Sequence, residues 1–218
     1  MSSRAEGALR ISEIFFSLQG ESSRIGLPTV FVRLTGCPLR CSYCDSAHAF
    51  TGGNAMSVAE VLTTVAQYGA HYVTVTGGEP LAQKACLVLL RALCDAGYAV
   101  SLETSGALDV SGVDARVLKV VDIKTPGSRE VGKNLWSNLA HLAPTDEIKF
   151  VLADEVDYQW AKQVLLEHGL SQRCAVLFSP VQDLLAPRDL AEWILRDRLP
   201  VRMQVQLHKI LWGNEVGR

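Results

Sequence analysis

The sequence predicts an α/β protein whose sheet forms a partial, open TIM-like barrel of about six parallel βα units. Three observations lead there. Short apolar runs rich in β-branched residues alternate with helical patterns, the arrangement of a parallel sheet with right-handed crossovers. Glycines and polar residues gather just after those runs, at 35–46, 76–80, 103–106, 122–127 and 179–182, on the carboxyl edge where parallel sheets bind ligands. The chain has 218 residues with no low-complexity linker or internal repeat, so a single domain over 1–218 and a barrel of fewer than eight units fit its length.

Each element has a local reason. Val30-Phe31-Val32-Arg33-Leu34 is an apolar strand ending at Thr35-Gly36. Ser57, with Glu60 three residues on, reads as a capping box that opens a helix running to about Tyr68. His71–Thr76 is a strand closed by Gly77-Gly78. Lys84–Ala96 is a helix stopped by Gly97, and Tyr98–Leu102 is the next strand. Val117–Ile123 follows as a strand, with Lys124-Thr125-Pro126-Gly127 turning after it. Strand Ile148–Leu152, helix Val156–His168, strand Ala175–Phe178, helix Pro187–Arg196 and a final strand Val201–Leu207 complete the series. Extending that last strand places Gln206 and His208 on one face.

Composition narrows the function. Hydrophobic residues at 48% and charged residues at 20% exclude a disordered or fibrous chain. Twenty-one Lys and Arg against 23 Asp and Glu give a net charge of −2, with no basic block to track a phosphate backbone, so no nucleic-acid partner is expected. No apolar run reaches the ~18 residues of a membrane span, and MSSRAEG lacks an apolar signal core. The expectation is a cytoplasmic chain with no membrane partner. There thiols stay reduced, so clustered cysteines point to a metal or to catalysis.

Three of the six cysteines form such a cluster. Residues 37–44 read C-P-L-R-C-S-Y-C, placing Cys37, Cys41 and Cys44 in one tight loop. Thiolates are soft donors suited to zinc, copper(I) and iron–sulfur clusters. Cys86 and Cys94 fall in an apolar helix and Cys174 opens a strand, so all three read as buried small hydrophobes and supply no fourth ligand. Three ligands leave one metal position open, a catalytic arrangement. A zinc site completed by His48 is the competing reading, though it leaves the other rim motifs unexplained. Gly77-Gly78-Glu79-Pro80 adds glycines that permit close backbone approach and a carboxylate that suits an ammonium.

The cysteine loop after the first predicted strand, with Tyr43 before its last cysteine, together with GGEP, resembles the radical S-adenosylmethionine (SAM) superfamily. Within it the chain resembles the 7-carboxy-7-deazaguanine synthases. That likeness rests on Glu13–Glu21 (EIFFSLQGE), Phe31–Leu34, Gly36-Cys37, Cys44-Asp45-Ser46, Glu103–Gly106, Asp146–Lys149 and Gln206–Lys209, from about residue 11 to 213. The resemblance implies a lyase that turns 6-carboxy-5,6,7,8-tetrahydropterin into 7-carboxy-7-deazaguanine with loss of ammonia, for queuosine and related 7-deazapurines. It implies a four-iron, four-sulfur cluster on Cys37, Cys41 and Cys44, whose reduction cleaves SAM to a 5′-deoxyadenosyl radical. SAM contacts carry over to Gly78, Glu79, Asp122, Ile123, Lys124, Ser179, Pro180, Val181 and Gln182. Many relatives have Ser-Pro-Lys where this chain has Asp122-Ile123-Lys124, so Lys124 matches best and Asp122 suits a ribose hydroxyl. Substrate contacts carry over to Leu18, Gln19, Gly20, Arg33 and Thr76, with the Arg33 fork suited to the pterin carboxylate and the Gln19 amide to the pterin edge. Magnesium carries over to Ser46, with Asp45 helping. A flavodoxin-like electron donor and a homodimer are further implications. His208 reads as a structural histidine. A glycyl-radical activase is the other enzyme reading, disfavoured by the LQGE and CDS segments and by the lack of further Cys-rich loops.

Overall fold

The computed structural model describes residues 8–213, 215 and 217. The remaining residues, including the whole MSSRAEG start, lie outside the described part. A nine-stranded sheet runs in the order β3-β1-β2-β4-β5-β6-β7-β8-β9, and its end strands β3 (Asn54–Ser57) and β9 (Arg202–Met203) do not pair with each other. From β2 (Pro28–Leu34) through β4 (Tyr72–Gly77), β5 (Ala99–Thr104), β6 (Leu118–Asp122), β7 (Glu147–Leu152) and β8 (Ala175–Pro180) to β9, every pairing is parallel. The sheet is therefore an open parallel barrel, as the sequence predicts.

Helices α1 (Val58–Ala66), α2 (Ala85–Asp95), α3 (Glu155–Glu167) and α4 (Pro187–Asp197) follow the expected boundaries within two residues. The predicted capping box is present: Ser57 Oγ accepts from the Glu60 backbone N–H, and the Glu60 carboxylate accepts from Ser57 N–H at 2.7 Å. The six-unit expectation needs one correction. The β5–β6 and β6–β7 crossovers contain no α-helix, only loop and 3-10 turns such as Pro126–Ser128. The turns suffice because Asn138 (buried) and Asp157 (buried) bind the loop backbones directly, taking over the donors and acceptors a helix would satisfy.

Two apolar layers cover the outer face. Leu89, Leu90 and Leu93 of α2 pack with Val61 and Val65 of α1 on Val30, Val32, Val73 and Val75. Tyr158 and Leu165 of α3 pack with Leu190 of α4 on Phe150 and Phe178. Each such fully buried side chain contributes about 1.5–3 kcal/mol. Among the described residues no helix is long and apolar enough to cross a membrane.

Two differences from the sequence expectation matter for the site. β1 (Ala8–Leu18) is an unpredicted strand, antiparallel to both β2 and β3, with a bulge between Ile11 and Glu13. Before the bulge Leu9 and Ile11 face the α1–α2 core; after it Ile14 packs on that core and Phe16 stacks on Tyr68. The bulge shifts the strand by one residue, so Glu13 and Phe15 turn to the barrel interior. The predicted strand Val201–Leu207 pairs only over Arg202–Met203, and from Gln206 the chain enters α5 (Leu207–Trp212). Gln206 and His208 therefore share no strand face. The amides of Gln204 and Gln206 are anchored instead, by Ser22 N–H and by Glu21, and this turns the chain away from the sheet edge.

Candidate active site

A cavity of about 730 Å³ opens at the carboxyl ends of β2, β4, β5, β6 and β7, with Glu13, Phe15 and Leu18 of antiparallel β1 along one side. The cysteine loop forms one wall. The Arg40 backbone N–H donates to Glu130, Ser42 donates its N–H and hydroxyl to the Ser128 and Gly127 carbonyls, and Tyr43 sends its hydroxyl to the Val151 carbonyl at 3.1 Å. Tyr43 also meets Thr125 Oγ1, so the aromatic residue in the motif is the bolt between this loop and the β6–β7 rim. Cys37, Cys41 and Cys44 are half-buried on the cavity wall. Burial pushes the Cys37 and Cys41 thiols up. Cys86 and Cys174 are buried elsewhere, their thiols pushed up to about 12 and about 11 by burial, whereas Cys94, expected to be buried too, is only half-buried near the end of α2.

Among the described residues no three His, Cys, Asp or Glu side chains converge on a single ion. His48 turns instead to Glu13, with Nε2 3.4 Å from Oε1, so the donor set does not suit the zinc reading. Three thiols spaced around one loop at a cavity wall suit a larger, multinuclear cluster.

The GGEP turn lies against this loop. Gly78 N–H donates to the Leu34 carbonyl and Glu79 N–H to the Gly36 carbonyl. A Cβ on Gly78 would sit 2.4 Å from the Gly36 oxygen and 2.7 Å from Cys37 Cβ, so only glycine allows the approach. Opposite it, Asp122 places Oδ2 2.9 Å from Lys124 Nζ and 3.8 Å from Lys149 Nζ, while Oδ1 is buried without a hydrogen-bond partner. An orphaned acceptor in a cavity wall invites a donor from a bound molecule.

A third group closes the cavity floor. Glu103 accepts from Thr76 Oγ1 at 3.0 Å and from Gln19 Nε2 at 3.3 Å, and burial raises its carboxyl above the ordinary range, only partly offset by Lys149. Lys149 pairs with Glu21, both nearly buried. Burial alone would lower the ammonium, but Glu21, Asp122 and Glu103 outweigh it and hold it charged. Arg33 contacts Glu13 through Nε at 2.6 Å.

Curated relatives match the chain over nearly its whole length. A 7-carboxy-7-deazaguanine synthase of Chlorobaculum tepidum is 50% identical, covering 95% of this chain and 96% of its own. One from Koribacter versatilis is 43% identical, over 95% of this chain and 98% of its own. The chain belongs to the 7-carboxy-7-deazaguanine synthase family. Residues 31–122, from β2 to β6, match the radical SAM superfamily. The crystal structure of QueE from Escherichia coli superposes with a TM-score of 0.77 at 25% identity, covering 92% of this chain and 95% of that one. As a radical SAM lyase of this family, the protein takes a four-iron, four-sulfur cluster and SAM.

Most of the residues the sequence assigned to the family's site line the cavity: Leu18, Gln19, Gly20, Arg33, Cys37, Cys41, Cys44, Ser46, Thr76, Gly78, Asp122, Lys124, Val181 and Gln182. Four expected SAM contacts do not. The Glu79 carboxylate is fully buried and accepts from Leu81 N–H, Ser105 N–H and the Thr104 and Ser105 hydroxyls, so it caps the turn and offers nothing to an ammonium. Ile123 points into the α3–α4 core, and Ser179 and Pro180 are buried at the end of β8. The Gln19 amide is also spent within the protein: its NH2 donates to Thr74 and Glu103 and its oxygen accepts from Glu21 N–H. It orients Glu103, and both of its amide hydrogens are used within the protein.

Glu103, Glu21, Lys149 and Glu13 were missed as individual site residues. Their only sequence signal is membership of the quoted motifs, Glu13 and Glu21 in EIFFSLQGE, Glu103 in Glu103–Gly106 and Lys149 in Asp146–Lys149.

Proposed function

We propose that this protein converts 6-carboxy-5,6,7,8-tetrahydropterin to 7-carboxy-7-deazaguanine. One observation carries the reading: the three cysteines, the partnerless Asp122 Oδ1 and the Arg33 guanidinium line the same cavity. Cys37, Cys41 and Cys44 would hold the cluster, with the open iron taken by SAM. The cluster and SAM together supply the radical that starts the rearrangement. Gly78 gives SAM room against the loop, Asp122 Oδ1 receives one of its hydroxyl or amino donors, and Val181 and Gln182 form the far wall. Ile123, Ser179 and Pro180 serve by shaping the backbone beneath.

Arg33 keeps its terminal amino groups for the substrate carboxylate. Glu103, ordered by Gln19 and Thr76, accepts from the amino and ring N–H groups of the pterin, while Leu18 and Gly20 cover its face. Ser46 Oγ, which donates to Asp45 Oδ1 at 3.0 Å, offers magnesium the oxygen ligand it prefers, with waters and substrate completing the shell. The unpaired cysteines suit a reducing cytoplasm. A flavodoxin-like protein as electron donor and a homodimer belong to the same proposal, the dimer supported by exposed Ile210 and Leu211 on α5.

The test is anaerobic. Protein reconstituted with iron and sulfide, reduced, and given SAM, magnesium and 6-carboxytetrahydropterin should form 7-carboxy-7-deazaguanine, identified by mass. Cys41→Ala should abolish it. SAM cleavage without the deazapurine would overturn the substrate, and a preparation that takes up zinc but no sulfide would overturn the chemistry.

A further inference from the structure

We infer that Glu13 is a positioning residue for Arg33, holding one edge of the guanidinium so that the other edge faces the carboxylate of the bound substrate. The inference rests on the proposed reading that Arg33 receives that carboxylate. Glu13 and Arg33 are register partners across β1 and β2, and Oε1 lies 2.6 Å from Nε. That contact uses Nε alone. Among the described residues neither terminal amino group of Arg33 has a hydrogen-bond partner, although the side chain is only 17% exposed and lines the cavity. A carboxylate needs just that pair of parallel donors for a bidentate contact.

The surroundings fix the arrangement from the remaining sides. The guanidinium carbon sits 5.6 Å from the Phe15 ring centroid, and Phe15 stacks on Phe31 at 5.0 Å. His48, in the 3-10 turn Ala47–Phe50, places Nε2 3.4 Å from the same Glu13 oxygen. The strand itself is built to deliver Glu13. Without the bulge after Ile11, the alternation that buries Leu9 and Ile11 under α1 and α2 would send Glu13 into that apolar core. One extra residue turns Glu13 and Phe15 together toward Arg33. A mobile arginine would lose its rotamer freedom when substrate binds; one already held by Glu13 and Phe15 loses less, which appears as tighter substrate binding.

The experiment compares Glu13→Ala, Glu13→Gln, Arg33→Ala and the Glu13→Ala/Arg33→Ala double variant in the reconstituted holoenzyme. It reads KM and kcat for 6-carboxytetrahydropterin and the inhibition constant of tetrahydropterin lacking the carboxylate. Glu13→Ala should raise KM roughly tenfold or more with kcat within about threefold, and leave the inhibition constant unchanged. Glu13→Gln should stay within about threefold of the native KM, because its amide oxygen still accepts from Nε. In the Arg33→Ala background Glu13→Ala should add nothing. If Glu13→Ala does not fold, Glu13→Asp, too short to reach Nε, should show the same rise in KM. An unchanged KM in Glu13→Ala, an equal loss for the inhibitor, or an undiminished effect in the double variant would overturn the positioning role. Arg33→Ala with a native KM would overturn the underlying reading of Arg33, whereas a raised KM in Arg33→Ala beside a native one in Glu13→Ala would sink the inference alone.

Discussion

Single carboxylates in and around this cavity do different work, and burial with partners decides which. Glu79 is surrounded by four protein donors and has no path to a ligand. Glu79→Ala would strand Leu81 N–H, Ser105 N–H and two hydroxyls, and should cost about 3–5 kcal/mol in urea unfolding of the cofactor-free protein. Native stability with weakened SAM binding would instead return Glu79 to the ligand. Glu21 and Glu103 titrate in opposite senses. Burial would raise the Glu21 carboxyl, but Lys149 outweighs it and leaves it below the ordinary 4.5. Its stabilising contribution is therefore present above pH 4.5 and disappears as pH falls through the lowered value. Glu103 is raised, so its contribution is present below pH 4.5 and disappears as pH rises through the folded value. Melting temperatures should show Glu21→Gln less stable than the native protein at pH 7 with the gap closing toward pH 3. Glu103→Gln should gain on the native protein as pH rises from 4 to 7. Parallel pH profiles for all three proteins would contradict both assignments.

At the scale of elements, the site is made where loops touch. The cysteine loop and GGEP turn meet through backbone hydrogen bonds at a distance only Gly78 permits. Gly78→Ala should fold, because the added Cβ meets Gly36 and Cys37 of the cysteine loop and none of the apolar side chains, yet retain less than half the iron and sulfide of the native protein after reconstitution. Full cluster loading with native turnover would show that the approach has no function. Gly20 plays the matching part for α5: a Cβ there would lie 2.1 Å from His208 Nδ1, and Leu207 N–H donates to the Gly20 carbonyl. Lys209 Nζ and Gln206 Nε2 reach Asp45 Oδ2, tying α5 to the exit of the cysteine loop. Elements whose reason is local were legible in the sequence. The Ser57–Glu60 box, the Gly97 stop and the cysteine spacing each act within a few residues. β1 was not legible, because its bulge breaks the period-two pattern that marks a strand. The last strand was over-read, because Val201–Leu207 alternates well but only Arg202–Met203 find partners at the sheet edge.

The molecule as a whole is an open barrel whose outer face is packed and whose inner rim is polar, and the sequence displayed that division through its decorated strand ends. It did not display the buried charges. Lys149, Glu21, Asp122 and Glu103 come from four separate segments and acquire meaning only when β1, β5, β6 and β7 bring them around one cavity. The central claim is that this one cavity holds cluster, SAM and pterin together. A crystal structure of the anaerobically reconstituted protein with SAM and 6-carboxytetrahydropterin tests it most directly. The account predicts the cluster on Cys37, Cys41 and Cys44, a SAM donor within hydrogen-bond distance of Asp122 Oδ1, and the pterin carboxylate on the terminal amino groups of Arg33. A pterin bound elsewhere, or an Asp122 Oδ1 still without a partner, would contradict it.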